Sequence, residues 1–187
     1  MASVSDLKKG FKFIKDGEPH VVREFVFVKP GKGQGLYKCK IRNMISGSQF
    51  EITYRSGESF VEASVTERKM QFLYPEDDRY CFMDTETYEQ IYVDGENLGD
   101  DRLLLSDNLE VDVLLWDDRP IGVTLPIFVE LLITECEPGV KGDTATGATK
   151  LAVLSTGATV NVPLFVDGDE WIKIDTRTGA YVERVKK

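Results

Sequence analysis

The chain has 187 residues, of which 42% are hydrophobic and 29% are charged, so it carries enough apolar material to form buried cores and is not disordered throughout. No apolar run approaches the roughly 20 residues that a membrane span requires, and the N-terminus lacks the charged start and apolar centre of a signal peptide. The formal net charge of −9 argues against nucleic-acid binding by the chain as a whole. We therefore expect a cytoplasmic protein that does not contact membranes.

Strand signals dominate the first 64 residues, where runs of β-branched and aromatic residues alternate with turns. Asp16-Gly17 and Ser46-Gly47-Ser48 mark two of the turns, and a segment rich in glycine and lysine marks another. The predicted strands cover residues 11–14, 21–28, 36–42 and 49–54. They predict one small barrel-like sheet.

Two further units of the same character follow. The second unit has predicted strands at 69–74, 80–83, 109–116 and 121–123, and the third has them at 128–131, 160–163, 171–174 and 181–182. The predicted helices are short and lie around 85–90 and 99–106. The pattern predicts an all-β fold of three small β-barrel domains in tandem: an SH3-like (KOW-like) domain at 1–64 and OB-like domains at 65–127 and 128–187.

Charge is distributed unevenly over these three units. Residues 1–64 hold 11 Lys and Arg against 7 Asp and Glu, whereas residues 65–127 hold 5 against 16. A basic module joined to an acidic one indicates a nucleic-acid contact at one end of the chain only. For the acidic unit, a solvated surface explains most of the charges.

A glycine-rich loop, Lys29-Pro30-Gly31-Lys32-Gly33-Gln34-Gly35, lies between two predicted strands, at the tip of a hairpin. A nucleotide-binding Walker loop needs Gly-Lys-Ser/Thr at the start of a helix. Here Gly33 follows Lys32 and a strand comes next, so nucleotide binding of that kind is excluded. What remains is a slender tip that carries one long cation and can approach a crowded surface closely.

The strand after this loop predicts a basic ridge. Because side chains alternate across a strand, Lys38, Lys40 and Arg42 share one face, while the other face has the composition of a core. Three cations in register, beside Lys29 and Lys32 at the tip, suit sequence-blind contacts to a phosphate backbone.

The residues needed for metal or disulfide chemistry are scarce. The chain has three cysteines, none in a C-x-x-C pair, and a single histidine, His20. We therefore expect no zinc site, no other metal site and no disulfide framework. General acid–base chemistry has only His20 as a histidine candidate, and no nearby residue marks a nucleophile.

Four segments together resemble the bacterial translation elongation factor P family, and the resemblance covers nearly the whole chain. The segments are the tip at 29–34, the loop at 138–144, the Leu-Ser-Thr-Gly stretch at 154–166 and the end at 174–182. The resemblance implies the same three β-barrel domains, arranged in an L shape like a tRNA. The third domain argues against the two-domain initiation factor 5A relatives.

The resemblance implies a factor that binds both ribosomal subunits between the peptidyl-tRNA and exit sites and relieves stalling at consecutive prolines. Lys32 would reach the CCA end of the peptidyl-tRNA from a tip completed by Lys29, Pro30, Gly31, Gly33 and Gln34. Lys29, Lys38, Lys40 and Arg42 would contact the tRNA backbone, and Gly142, Asp143 and Thr144 would approach the exit-site codon. Many family members lengthen the tip lysine covalently and others leave it bare, so a modifying enzyme is a partner only in the first case.

We thus expect a monomer that is not an enzyme and needs no cofactor beyond such a modification. Three alternatives stay open. The elongation-factor-P-like paralogue shares the Leu-Ser-Thr-Gly region but usually lacks the lysine-bearing tip and the Gly-Asp-Thr motif. A generic OB-fold RNA-binding module and a hydrolase using His20 or a carboxylate pair are the other two.

Overall fold

The structure is a computed structural model that describes residues 1–29, 31, 33–139 and 147–187. These residues form three sheets with little helix, which confirms the all-β prediction.

The first sheet has six strands in the order β1-β6-β2-β3-β4-β5. The strands are β1 (Ala2–Ser3), β2 (Lys12–Lys15), β3 (Glu18–Val28), β4 (Leu36–Asn43), β5 (Gln49–Arg55) and β6 (Ser59–Glu62), with a 3₁₀ helix at Val4–Asp6. Each neighbouring pair is antiparallel. Four of the strands were predicted; the short strands β1 and β6 were not.

Alternating side chains of this sheet form a core beneath it. Phe13, Val22 and Ile41 are at most 1% exposed. Tyr54 and Phe60 add aromatic bulk with their ring centroids 4.8 Å apart, edge to face. Edge-to-face rings and close-packed aliphatic side chains supply the apolar burial that holds a domain of this size together.

Strand β3 contains a β-bulge that sets the direction of its second half. Val22 pairs with Ile41 and Glu24 pairs with Lys40, so Arg23 is an extra residue without a partner on β4. Strict alternation would put Glu24 on the same face as the fully buried Val22. The bulge instead turns Glu24 to the exposed face.

The second sheet has the order β11-β10-β7-β8-β9. Its strands are β7 (Val65–Glu76), β8 (Arg79–Asp84), β9 (Gln90–Asp94), β10 (Glu110–Trp116) and β11 (Arg119–Thr124). A short helix α1 (Gly95–Leu98) and a 3₁₀ helix (Gly99–Leu104) follow β9, close to the helix predicted around 99–106.

The helix predicted around residues 85–90 is wrong, because these residues form a turn that leads into β9. The carboxylate oxygen Oδ1 of Asp84 accepts hydrogen bonds from the backbone N–H groups of Glu86 and Thr87 at 2.8 and 3.0 Å. Tyr88 then takes a φ of 60°, which a helix does not allow. A side chain that bonds the following backbone competes with the first turn of a helix in this way.

The third sheet has the order β14-β13-β12-β15-β16, and each neighbouring pair is antiparallel. The strands are β12 (Phe128–Cys136), β13 (Thr149–Leu154), β14 (Thr159–Pro163), β15 (Trp171–Asp175) and β16 (Ala180–Val185). Leu131, Ile133 and Ile172 lie in its fully buried core, and Leu104 and Leu109 pack against that core.

The chain divides into two compact units, one comprising Met1–Arg68 with Val113–Gly122 and the other Lys69–Asp112 with Val123–Lys187. The domain boundaries after residues 64 and 127 stay a prediction. Within the part of the chain that the structure describes, no helix is long and apolar enough to cross a membrane.

Candidate functional site

The glycine-rich loop joins β3, which ends at Val28, to β4, which begins at Leu36, so it forms the tip of a hairpin. Lys29, Gly31, Gly33 and Gln34 are all exposed. Gly33 has a φ of 147°, a conformation that side chains with a Cβ disfavour. The predicted tip residues Pro30 and Lys32 lie outside the described residues.

The base of this hairpin is held by a contact that requires glycine. A Cβ on Gly35 would lie 2.5 Å from Cε2 and 2.9 Å from Cζ of the Phe27 ring. The Phe27 ring in turn packs on Tyr37 with their centroids 4.7 Å apart. The carbonyl oxygen of Gly35 accepts hydrogen bonds from Ser56, from Oγ at 3.2 Å and from the backbone N–H at 3.3 Å. The base of the tip is therefore fixed between an aromatic pair and the turn after β5.

Sequence reasoning gave Phe27 no role in the site, and it placed Gly35 in the glycine-rich loop without predicting this contact. The available signal was Phe25 and Phe27 at alternate positions just before the loop, with a glycine just after it. Two aromatic side chains on one face of a hairpin need a neighbour that leaves room for a ring, and glycine leaves the most.

The basic ridge, defined as Lys38, Lys40 and Arg42, is exposed along β4. Cys39 and Ile41, which alternate with these cations, are 2% and 0% exposed. The predicted alternation of strand faces is therefore confirmed. Whether the ridge contacts RNA stays a prediction.

The three cations of the ridge differ in their partners. Lys40 Nζ lies 2.9 Å from Glu24 Oε2 on β3 and 3.8 Å from Glu51 Oε1 on β5. Its hydrogen bond and ion pair with Glu24, with Glu51 adding to them, raise the pKa of Lys40 above the ordinary lysine value. Lys38 and Arg42 form no ion pair with any residue that the structure describes.

A shallow groove of about 350 Å³ crosses the sheet at this point. Its lining includes Lys38 and Lys40 from β4, Glu24 and Val26 from β3 and Thr53 from β5. Glu51 of β5 also lines it, so the groove combines two cations, two carboxylates, a hydroxyl and apolar surface.

His20 is buried in the first sheet, among aromatic side chains. It is 3% exposed and lies between the rings of Phe13 and Phe50, with centroid distances of 6.1 and 5.8 Å. Its Nδ1 donates a hydrogen bond to the carbonyl oxygen of Glu18 at 3.0 Å. Burial raises the pKa of the Cys39 thiol on β4, which disfavours the reactive thiolate.

Asn43 closes the far end of β4 and was not singled out from the sequence. Its side-chain oxygen Oδ1 accepts hydrogen bonds from the backbone N–H groups of Ile45 and Ser46 at 2.8 and 2.9 Å. Its Nδ2 donates to Glu18. Asn43 therefore ties the β4–β5 turn to the start of β3 and fixes the register of the ridge.

The second predicted contact loop falls mostly outside the described part of the chain. Gly142, Asp143 and Thr144 lie there, between β12 and β13. On the described side, the backbone N–H of Leu151 donates to Glu137 Oε2 at 3.3 Å and the N–H of Glu137 donates to the carbonyl oxygen of Leu151 at 3.0 Å. Among the residues that the structure describes, no group of three or more His, Cys, Asp or Glu is placed to hold a metal ion.

Comparison with known families assigns each of the three sheets to one family of domains. Residues 3–60 match the elongation factor P KOW-like domain, residues 65–123 match the elongation factor P OB domain, and residues 129–184 match the elongation factor P C-terminal domain.

Full-length relatives carry the same name. The chain is 52% identical over 186 residues to elongation factor P of Syntrophus aciditrophicus and 54% identical over 187 residues to elongation factor P of Desulfosudis oleivorans, with 100% of both chains covered in each case. A solved structure of eukaryotic translation initiation factor 5A from Methanococcus jannaschii has a TM-score of 0.51 and 22% identity, covering 67% of this chain and 90% of that one. This last likeness concerns the fold alone.

Proposed function

The chain belongs to the elongation factor P family of translation elongation factors, and from that membership we propose that it binds the ribosome between the peptidyl-tRNA and exit sites. There it stimulates peptide-bond formation and relieves stalling at consecutive prolines. The match of all three family domains, in order and over the full length of the relatives, is the observation that carries this proposal.

The chemistry of proline explains why such a factor is needed. The proline ring fixes φ and restricts the preceding residue, so a peptidyl chain that ends in prolines rarely adopts the geometry for attack. Correct placement of two reactants lowers a barrier by up to about 7–11 kcal/mol without any proton transfer. A protein that only positions the peptidyl-tRNA can therefore accelerate the reaction.

The tip of the β3–β4 hairpin is the part suited to this task. Lys32 lies between two glycines in the sequence, so its ammonium group extends on a four-carbon stem from a backbone with little bulk. In our proposal this ammonium steadies the CCA end of the peptidyl-tRNA. The fixed base formed by Phe27, Gly35 and Ser56 supports the tip, because a positioning group needs a rigid support.

Along β4, the cations that have no ion pair among the described residues are the best suited to contact the tRNA backbone. These are Lys38 and Arg42, and Lys29 joins them at the tip. Lys40 belongs to the same exposed row, but Glu24 and Glu51 already occupy its ammonium group. At the other end of the chain, Gly142, Asp143 and Thr144 approach the exit-site codon in this proposal, so both ribosomal subunits are contacted.

The protein acts in this proposal as a monomeric cytoplasmic factor and not as an enzyme. The burial of His20 and of the Cys39 thiol supports this proposal, since both are removed from solvent and substrate. The proposal requires no cofactor, and it includes one covalent change: extension of the Lys32 side chain by a modifying enzyme. Intact-mass spectrometry of the protein from its native host would detect it.

The test is tri-proline synthesis in a reconstituted translation system with Lys32→Ala. We expect a rate loss on the order of 100-fold, because misplacement of reactants by about an ångström has an effect of that size. Lys9→Ala, which removes an exposed lysine of the same sheet region, is the matched control and should keep the parent rate. Equal rates for the Lys32→Ala variant and the parent would refute the proposal.

Sedimentation with ribosomes separates this function from that of a generic OB-fold RNA-binding module. A ribosomal factor co-migrates at one copy per ribosome, whereas a general RNA-binding module saturates without a fixed ratio. His20→Ala addresses the hydrolase alternative, because proline rescue by that variant leaves no role for His20 in the reaction.

A further inference from the structure

We infer that Glu24 and Glu51 are specificity-determining residues of the basic ridge: by enclosing Lys40 they keep phosphate away from the middle of the ridge and confine phosphate contacts to Lys38 and Arg42. This inference rests on the proposed function, since it concerns the same RNA-facing sheet. It gives a role to two carboxylates that a surface built only for general RNA affinity would not contain.

Glu24, Lys40 and Glu51 lie side by side on three adjacent strands and form one cross-strand row. Glu24 pairs with Lys40 across β3 and β4, and Lys40 pairs with Glu51 across β4 and β5. The Nζ–Oε distances are 2.9 Å to Glu24 and 3.8 Å to Glu51. Lys40 therefore has a carboxylate on either side, and these three paired residues together carry a net charge of −1.

The neighbouring rows have the opposite sign. Lys38 has Val26 and Thr53 as its cross-strand partners, and Arg42 has Val21 and Gln49, so each of these rows carries +1. Along β4 the net charges of the three successive rows are therefore positive, negative and positive. Lys38 and Arg42 are four residues apart, which is about 13 Å at 3.3 Å per residue.

The bulge at Arg23 is what places Glu24 in this row. Without the extra residue, Glu24 would share a face with Val22, whose side chain is buried. Bulges often re-aim a side chain next to a functional site. Here the backbone irregularity serves to present a carboxylate to Lys40 on the outer face.

Fold stability does not account for this arrangement. The side chains of Glu24 and Glu51 are 63% and 77% exposed, and that of Lys40 is 45% exposed. Ion pairs between side chains this exposed contribute little to stability because water and salt screen them. Their effect on an approaching charge is larger, since a phosphate at this row meets two like charges and a cation that is already paired.

Specificity is a difference between affinities, and repulsive groups can create it as effectively as attractive ones. A continuous line of cations would hold any polyanion at any register. Two cations separated by a repelling row hold only a backbone whose phosphates pass over the two ends. The row thereby favours an RNA of one shape over bulk RNA.

The experiment measures how binding depends on salt, with the full chain and two probes: deacylated tRNA and a short random-sequence RNA duplex. Each phosphate contact contributes about 0.7–0.9 to the slope of log affinity against log salt. For the duplex we expect E24Q/E51Q to steepen the slope by about that amount, which is an additional loss of roughly threefold between 50 and 200 mM salt. Binding of tRNA should change less, so that the preference for tRNA falls.

Lys40 supplies the decisive comparison. In the parent chain we expect K40Q to leave the slope for the duplex unchanged, whereas in E24Q/E51Q it should return the slope to the parent value. K38Q and R42Q should each flatten the slope in either background. E62Q/E89Q is the control for net charge, because it removes the same two negative charges at exposed glutamates that do not pair with Lys40.

Two results would overturn the inference. One is that K40Q flattens the slope of the parent chain as much as K38Q does. The other is that E24Q/E51Q changes duplex binding no more than E62Q/E89Q. If instead K38Q, R42Q and Lys32→Ala all leave RNA binding and tri-proline synthesis unchanged, the proposed function falls and the inference falls with it.

Discussion

The contact between Gly35 and Phe27 can be tested with Gly35→Ala, which shows how strongly this contact supports the hairpin tip. In Gly35→Ala, the new Cβ would lie 2.5 Å from Cε2 of the Phe27 ring, a distance that carbon atoms do not tolerate. The backbone of Gly35 lies outside the left-handed region, so the substitution introduces a steric conflict and no strain in φ. The ring must move, and when it moves it leaves Tyr37.

The size of the effect follows from these contacts. Overpacking costs about 1–3 kcal/mol, and the low end applies because Phe27 is 48% exposed and can turn toward solvent. Loss of the Phe27–Tyr37 ring pair costs about 0.5–1.5 kcal/mol, and replacing glycine lowers unfolded-state entropy, which offsets about 0.4–1 kcal/mol. We therefore expect the hairpin to lose about 1 kcal/mol, or roughly a fivefold increase in local opening.

Amide hydrogen exchange of β3 and β4 measures this opening directly. Gly31→Ala is the matched control, because a Cβ at Gly31 meets no atom within 4 Å. In a Phe27→Ala background, Gly35→Ala should cost much less, since the ring that it displaces is gone and the tightest remaining neighbour is Ser56 Oγ at 3.2 Å. Equal destabilisation by Gly35→Ala with and without Phe27 would refute the steric explanation.

Two titrating side chains give further predictions. The buried hydroxyl of Tyr54 has no hydrogen-bond partner among the described residues, and burial raises the pKa of Tyr54 to about 12. Tyr54→Phe should therefore match or exceed the parent in urea stability at neutral pH. It should also abolish the decline in stability that ionisation of Tyr54 causes in the parent above about pH 10. A clear loss of stability at neutral pH would contradict this. The hydrogen bond from the Arg177 side chain lowers the pKa of Asp175, so this carboxylate stabilises the fold above the ordinary aspartate pKa and the effect is lost as the pH falls below it. In a carbon-13 NMR titration, Arg177→Gln should raise the pKa of Asp175 toward the ordinary value, and an unchanged midpoint would count against the role of Arg177.

Local patterns predicted most of the strands because alternation and turn residues act over short distances. The exposed ridge of β4 could be predicted in this way, since Cys39 and Ile41 separate its cations and are buried. The helix expected around 85–90 was wrong because one hydrogen-bonding carboxylate, that of Asp84, decides the turn. Strand β13 was missed because a Gly/Thr-rich segment precedes it and hides its start.

The partners of Lys40 could not be predicted from the sequence because they depend on register between strands. Residues 21–28 read as one uninterrupted strand, and the bulge appears only when β3 pairs with β4. One signal was available: strict alternation would bury Glu24 beside Val22, and burying an unpaired carboxylate is costly. A charged residue that strict alternation would place on the buried face of a strand is therefore a reason to expect a β-bulge nearby.

The bulge at Arg23 also means that the number of residues in β3, and not only their identity, determines what the hairpin presents. Between the bulge and the tip, Glu24, Val26 and Val28 point one way and Phe25 and Phe27 the other. Deleting one residue at Arg23 would exchange these two sets, so that Phe25 faced outward with Phe27 and the Glu24 carboxylate faced the interior. A substitution alters a single side chain, whereas a one-residue deletion here would reverse the face that every side chain between the bulge and the tip occupies.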